Sequence, residues 1–184
     1  MVDISDHISL DESDIRPEAA LAETNFRGAD LREADLREAD LSKADLREAD
    51  LREADLRAVD LRAVDLREAD LSEANLREAD LHRADLRNAR FSATRLPETR
   101  LSKTLLAYAD LYQADLKDAN LAGASLYEAD LTQADLREAN VYGAMLVGVS
   151  IDMAGFDDSI SVSDLKRMGA VREIPSSTAS HLQE

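Results

Sequence analysis

Apolar residues recur at every fifth position of this chain, from Phe26, Leu31, Leu36 and Leu41 to Val141, Leu146, Ile151 and Phe156, without a missed step. Two residues before each stands a small side chain, from Thr24, Ala29 and Ala34 to Ala154. This period does not suit an α-helix. At about 100° per residue, successive centres fall roughly 140° apart and spiral around the axis. It does not suit a long flat strand either, because an odd period alternates the face of every centre. It suits a chain that runs briefly as strand, turns a corner and starts again. The small residue and the centre then point inward, the residue between them points outward, and the next two make the corner. Gly28, Gly123, Gly143 and Gly148 each stand two residues after a centre, where a type II turn needs positive φ. Pro97 stands one residue after its centre, where a turn favours proline. The Asp or Asn before each centre is placed to hydrogen-bond nearby backbone.

The run "ADLREADLREADLSKADLRE" resembles the pentapeptide-repeat protein family, whose motif is A-[D/N]-L-x-x. The resemblance covers residues 24–158, with 19–23 a degenerate further repeat. It implies an all-β fold, a right-handed quadrilateral β-helix with four pentapeptides per coil. About seven coils at ~4.8 Å would make a rod on the order of 33 Å long. Both ends of such a solenoid need caps. Residues 1–23 are expected to be an acidic N-terminal segment and cap, with Asp14 capping a short helix and Pro17 in its first turn. Residues 159–175 are expected to form a capping or dimerisation helix, starting at Ser161 or Ser163 and ending at Gly169, before a disordered tail over 176–184.

Charge adds a second layer. The 184 residues carry a net charge of −17, which opposes direct binding to nucleic acid and favours a basic protein partner. Residues 19–80 hold 18 acids and 10 bases, with columns such as Arg27, Arg47, Arg67 and Arg87 set beside Asp45, Asp65 and Asp85 in a self-neutralising lattice. Residues 81–103 invert the sign, with 2 acids and 6 bases; Arg90, Arg95 and Arg100 replace Asp three times running and should ring three faces of one coil as a basic collar. They are expected to pair with neighbours such as Asp70, Asp110 and Asp115. Residues 104–158 hold 10 acids and 2 bases. That is one net negative charge per ~1.6 Å of rod, close to the ~1.7 Å of duplex DNA.

Composition excludes several classes. There is no Cys, hence no disulfide or thiolate chemistry. His7, His82 and His181 lack ligand spacing, and the stacked Asp40, Asp60 and Asp80 repeat as turn caps, so no metal, cofactor or catalytic residue is expected. The stretch MVDISDHISL has neither a basic region nor a long apolar run, and no segment is long and apolar enough to span a membrane, so a cytoplasmic protein is expected. The resemblance implies a non-enzymatic protein, with a DNA-mimicking binder that inhibits or protects DNA gyrase as one candidate. A scaffold with an unrelated protein partner is the alternative. The acidic binding surface would comprise Asp110, Asp115, Asp118, Glu128, Asp130, Asp135 and Glu138. Outward apolar residues Leu105, Tyr108, Tyr127, Met145 and Val147, with Leu165 and Met168 of the terminal helix, would form either a cap contact or the interface of a homodimer joined at its C-terminal end.

Overall fold

A computed structural model of the chain describes residues 12–156 and 162–169. Parallel bridges join each residue before a centre to the one twenty positions later, from Ala20↔Asp40 to Asp135↔Gly155. One circuit of the chain therefore takes four pentapeptides, and residues twenty apart lie in columns along a β-helix.

The backbone explains why so short a repeat holds together. In Ala49–Glu53, every N–H has an acceptor. Ala49 donates back to Leu46 O (3.1 Å), closing the turn, and Asp50 donates to Ala29 O in the preceding coil (2.9 Å). Leu51 and Glu53 donate to Asp70 O (2.7 Å) and Ser72 O (3.1 Å) in the following coil. Arg52 donates to Asp50 Oδ1 at 3.2 Å. The motif Asp thus supplies the one acceptor that the ladder cannot, which satisfies the requirement that backbone donors be paired.

The second residue after each centre has positive φ, from Glu23 to Met153, and most of these are not glycine. A side chain there costs about 1–2 kcal/mol. Through Gln133, an inter-coil hydrogen bond from that residue's own N–H holds the conformation in place. Gly143 and Gly148 separate this backbone cost from crowding. A Cβ on Gly143 would meet nothing within 4 Å, whereas one on Gly148 would lie 2.9 Å from Glu128 Cγ. Gly143→Ala is therefore expected to cost about 1–2 kcal/mol, the backbone cost alone, and Gly148→Ala more than that. Urea denaturation distinguishes them; equal costs would show that crowding contributes nothing.

The interior is stacked Leu and Ala, with Phe91 the largest fully buried side chain. Phe26 and Phe156 are buried nearer the two ends. Thr94, Thr99 and Thr104 take three successive small-residue positions and are fully buried. Their hydroxyls donate to Leu71 O (2.7 Å), Leu76 O (2.8 Å) and Leu101 O (2.7 Å). No buried side-chain polar atom among the described residues lacks a partner.

The ends differ from expectation in one respect. The Asp14-capped helix does not form. Glu12–Asp14 is a single 3-10 turn, and the repeat frame already holds by Ala19 and Leu21, both buried. Burying Leu21 in register outweighs the helix propensity of the PEAALAE stretch. At the other end a short helix, α1 (Val162–Arg167), lies within the expected 159–175 segment. Its Leu165 is fully buried against the end of the stack, and Leu146 N–H donates to Met168 O at 2.9 Å. Gly169 follows with φ 86°, and a Cβ there would lie 2.9 Å from Val147 Cγ2. The rest of the 159–175 segment, the 176–184 tail and residues 1–11 lie outside the described residues.

Candidate interaction surface

The rod presents four faces. In the first half most arginines pair with an Asp of their own repeat. Arg32 reaches back over its own centre to Asp30 with two hydrogen bonds, Nε–Oδ1 2.8 Å and Nη2–Oδ2 2.7 Å. The same fork recurs at Arg37–Asp35, Arg47–Asp45, Arg52–Asp50, Arg57–Asp55, Arg62–Asp60, Arg67–Asp65 and Arg87–Asp85. The contacts of the forked arginines to the next coil's Asp are longer, such as Arg47–Asp65 at 3.7 Å, while Arg27–Glu48 (2.6 Å), Lys43–Glu23 (2.8 Å) and Arg77–Glu98 (2.7 Å) join adjacent coils as closely as the forks. Asp40 and Asp80 cap the N–H groups of Ser42 and His82, which is the turn-capping role expected of that column.

These forks carry a pH dependence. The Arg32 guanidinium holds the Asp30 carboxyl down to about 2, chiefly by hydrogen bonding. Asp35, Asp45, Asp50, Asp55, Asp60 and Asp65 are lowered from the same first cause, the Arg within each repeat. A carboxylate with a lowered folded-state pKa stabilises above its unfolded value of about 3.9 and loses that contribution as pH falls through the folded value. Urea midpoints are thus expected to be flat from pH 5 to 8 and to fall between about pH 4 and 2. A midpoint unchanged down to pH 2 would show the forks to be energetically idle.

The collar occupies one full circuit. Arg90, Arg95 and Arg100 take the outward position on three successive faces, bridged to Asp70, Asn75 and Asp80, and Leu105 takes the fourth. Arg90 meets Asp70 at 3.5 Å and Arg100 meets Asp80 at 3.4 Å, both through single contacts from largely exposed side chains. The expected pairings with Asp110 and Asp115 do not form. Asp110 instead accepts from Ser92 Oγ (2.8 Å) and Tyr112 N–H (3.0 Å), and Asp115 from Lys117 N–H (3.2 Å). The three buried threonines sit in this same circuit. Sequence reading passed over them as merely small; the signal was the change from Ala to Thr at three consecutive positions.

Beyond the collar the surface divides in two. Asp110 and Asp130 stack on one face, and Asp115 and Asp135 on the next. Asp118 and Glu138 follow Asp115 and Asp135 at the adjoining corner. Part of this charge is answered: Arg137 forks onto Asp135, and Lys117 lies 3.9 Å from Glu138. The other two faces carry Asn120 and Asn140 in one column and Leu105, Ser125 and Met145 in the other. Leu105, Tyr108, Tyr127, Met145 and Val147 are all exposed there, from 40% to 55%. Tyr108 and Tyr127 meet edge to face, ring centroids 5.6 Å apart. Glu128 stands at the corner between this side and the acidic one.

The structure thus separates two groups that the sequence joined. Leu165 and Met168 pack on the end of the core, while the other five apolar residues lie on the side of the rod and stay exposed. A groove of about 700 Å³ opens between residues 138–144 and α1, lined by Glu138, Tyr142, Asp164, Arg167 and neighbouring apolar residues. No group of His, Asp and Glu suited to a metal ion occurs among the described residues. No helix among them is long and apolar enough to cross a membrane.

Over the described coils the interior is filled, so it is the outer side chains that face other molecules. The chain belongs to the pentapeptide-repeat family: the family model "Pentapeptide repeats" matches eight copies over residues 18–52, 54–92, 84–121 and 114–151. Members of this family form right-handed β-helices and are generally structural or interaction proteins. Among solved structures, a pentapeptide repeat protein (Rfr23) from the cyanobacterium Cyanothece 51142 is 41% identical over 51% of this chain, with TM-score 0.51. This chain spans 65% of that protein's length. HetL, involved in heterocyst differentiation regulation in the cyanobacterium Nostoc sp. strain PCC 7120, is 30% identical over 77% of this chain and 85% of its own, with TM-score 0.44. Trypsin-treated QnrB1, a plasmid-mediated fluoroquinolone resistance protein, is 20% identical over 81% of this chain and 86% of its own, with TM-score 0.54, a likeness of fold. No curated protein sequence matches the chain.

Proposed function

We propose that this chain works without catalysis, as a cytoplasmic dimeric rod that holds an acidic surface against a basic protein partner. The supporting observation is the division beyond the collar: carboxylates gather on two adjacent faces, while the other two are poor in charge and expose Leu105, Tyr108, Tyr127, Met145 and Val147. One side suits a second copy of the chain and the other a cationic partner. Joining two copies through their C-terminal coils brings both acidic surfaces toward the middle of a longer rod. DNA gyrase is the candidate partner, since its DNA-binding surface is cationic and the net charge spacing of residues 104–158 approaches that of duplex DNA.

Two measurements test the reading separately. Solution mass should show a dimer that Tyr127→Asp with Met145→Asp converts to a monomer; a monomeric parent chain would overturn the dimer. Gyrase supercoiling should be inhibited by micromolar protein. A dimer that leaves supercoiling untouched would direct the acidic surface to another protein, the scaffold alternative.

A further inference from the structure

The collar holds a feature that neither the dimer nor the acidic surface uses. Within the described coils, residues 18–156, the basic side chains without an ion pair are Arg83, Arg95 and Lys103, all inside the segment 81–103. Two of these, Arg83 and Lys103, stand twenty residues apart and so stack at the same corner in adjacent coils. The aliphatic stem of Lys103 extends over Gly123, whose ideal Cβ would lie 3.7 Å from Lys103 Cγ. Arg100 lies on the face that leads to this corner. Its one carboxylate contact, Asp80 at 3.4 Å, is shared with the cap that Asp80 gives to the His82 N–H.

The backbone at this point also leaves a donor open. In most repeats the residue before a centre is an Asp or Asn whose oxygen accepts the N–H two residues on. With arginine at position 100, the Ser102 N–H has no acceptor among the described residues, as is also so at Ser92, Ala107, Tyr127 and Val147; of these, Ser102 is the one with the unpaired Arg83 and Lys103 at its corner. Ser102 Oγ is held 2.7 Å from His82 Nδ1. A half-buried N–H and hydroxyl therefore sit where a carboxylate is bound in many other repeats, flanked by Arg100, Lys103 and Arg83.

We propose that this corner binds carboxylate side chains of an acidic protein segment, an incoming Glu or Asp taking the role that the motif Asp plays in neighbouring coils. The inference rests on reading the chain as a protein-binding rod, but on residues outside the apolar side. Charge complementarity sets the partner: a patch of +4 within a chain of −17. It also sets a salt signature. The belt is little more than one coil wide, ~5–6 Å, and so lies within the Debye length of ~10 Å at 0.1 M salt. At low salt the whole acidic rod repels an anionic peptide, near 0.1 M only the belt is felt, and at high salt the belt is screened as well.

The test is titration of the full chain with a hexaglutamate peptide, followed by amide NMR shifts. The Ser102 amide is expected to shift, with affinity highest near about 0.1 M salt and weaker at both about 10 mM and 1 M. Arg83→Gln with Lys103→Gln should weaken binding about tenfold. Glutamine already stands at the equivalent corner position at Gln113 and Gln133, so the fold is kept. No shift at millimolar peptide, or shifts unchanged in the double variant, would overturn the proposal. So would displacement of the peptide by a lower concentration of duplex DNA, which would assign the corner to phosphate. None of these outcomes touches the dimer mass, so the two readings fail independently.

Discussion

Replacing Phe91 with alanine is expected to destabilise the chain by about 3–5 kcal/mol, the range for removing a buried aromatic side chain from a core that collapses only partly. Phe91 is the largest fully buried side chain and stands in mid-rod, between coils to which it is tied by the bonds Leu71 N–Arg90 O (2.8 Å) and Phe91 N–Asp110 O (2.6 Å). In a solenoid each coil contacts only its neighbours, so a cavity there weakens one interface rather than the whole. Urea unfolding of the variant should split into two transitions, one for each half. A single transition shifted to lower urea would show that coupling between coils survives the loss.

The second large effect belongs to the end of the rod. Leu165→Asp would place a carboxylate at a fully buried position with no partner, a cost of about 3–5 kcal/mol that exceeds what a six-residue helix can oppose. The expected result is release of α1 with the coils intact. The Leu146 amide, bonded to Met168 O, should then exchange on the order of a hundredfold faster, while amides of the central coils keep their protection. The freed edge should also promote concentration-dependent association by strand pairing. Unchanged exchange at Leu146 would show that the hydrogen bond to Met168 does not depend on Leu165.

The pattern of centres made the core legible because a five-residue period admits so few backbones. The positive φ at the corner followed from four glycines, although Glu33, Tyr108 and others adopt it equally. What the sequence hid was competition between local and distant forces. The PEAALAE stretch reads as helix by propensity, yet Ala19 and Leu21 fall in frame and the coil above supplies their hydrogen bonds. The self-neutralising lattice of the first half forms, with Arg27 on Glu48 in the next coil, but most of its arginines fork onto the Asp of their own repeat because Asp and Arg flank one centre on the same outward edge. The apolar residues Leu105, Tyr108, Tyr127, Met145 and Val147 could be assigned a column from period alone. Whether α1 would lie along that column or across the end depended on one side chain, Leu165, finding the open stack.

The twenty-residue circuit has a consequence for how such chains change by insertion and deletion. Adding four repeats anywhere lengthens the rod and leaves every downstream column over its old one. Adding a single repeat between Lys103 and Leu105 would leave the interior equally well packed, yet swing everything beyond it through a quarter turn. The aromatic column would then stand above a different face of the first half. The number of repeats, taken modulo four, acts as a dial on the relative bearing of the two halves, and replication slippage can turn it without disturbing a single buried contact type.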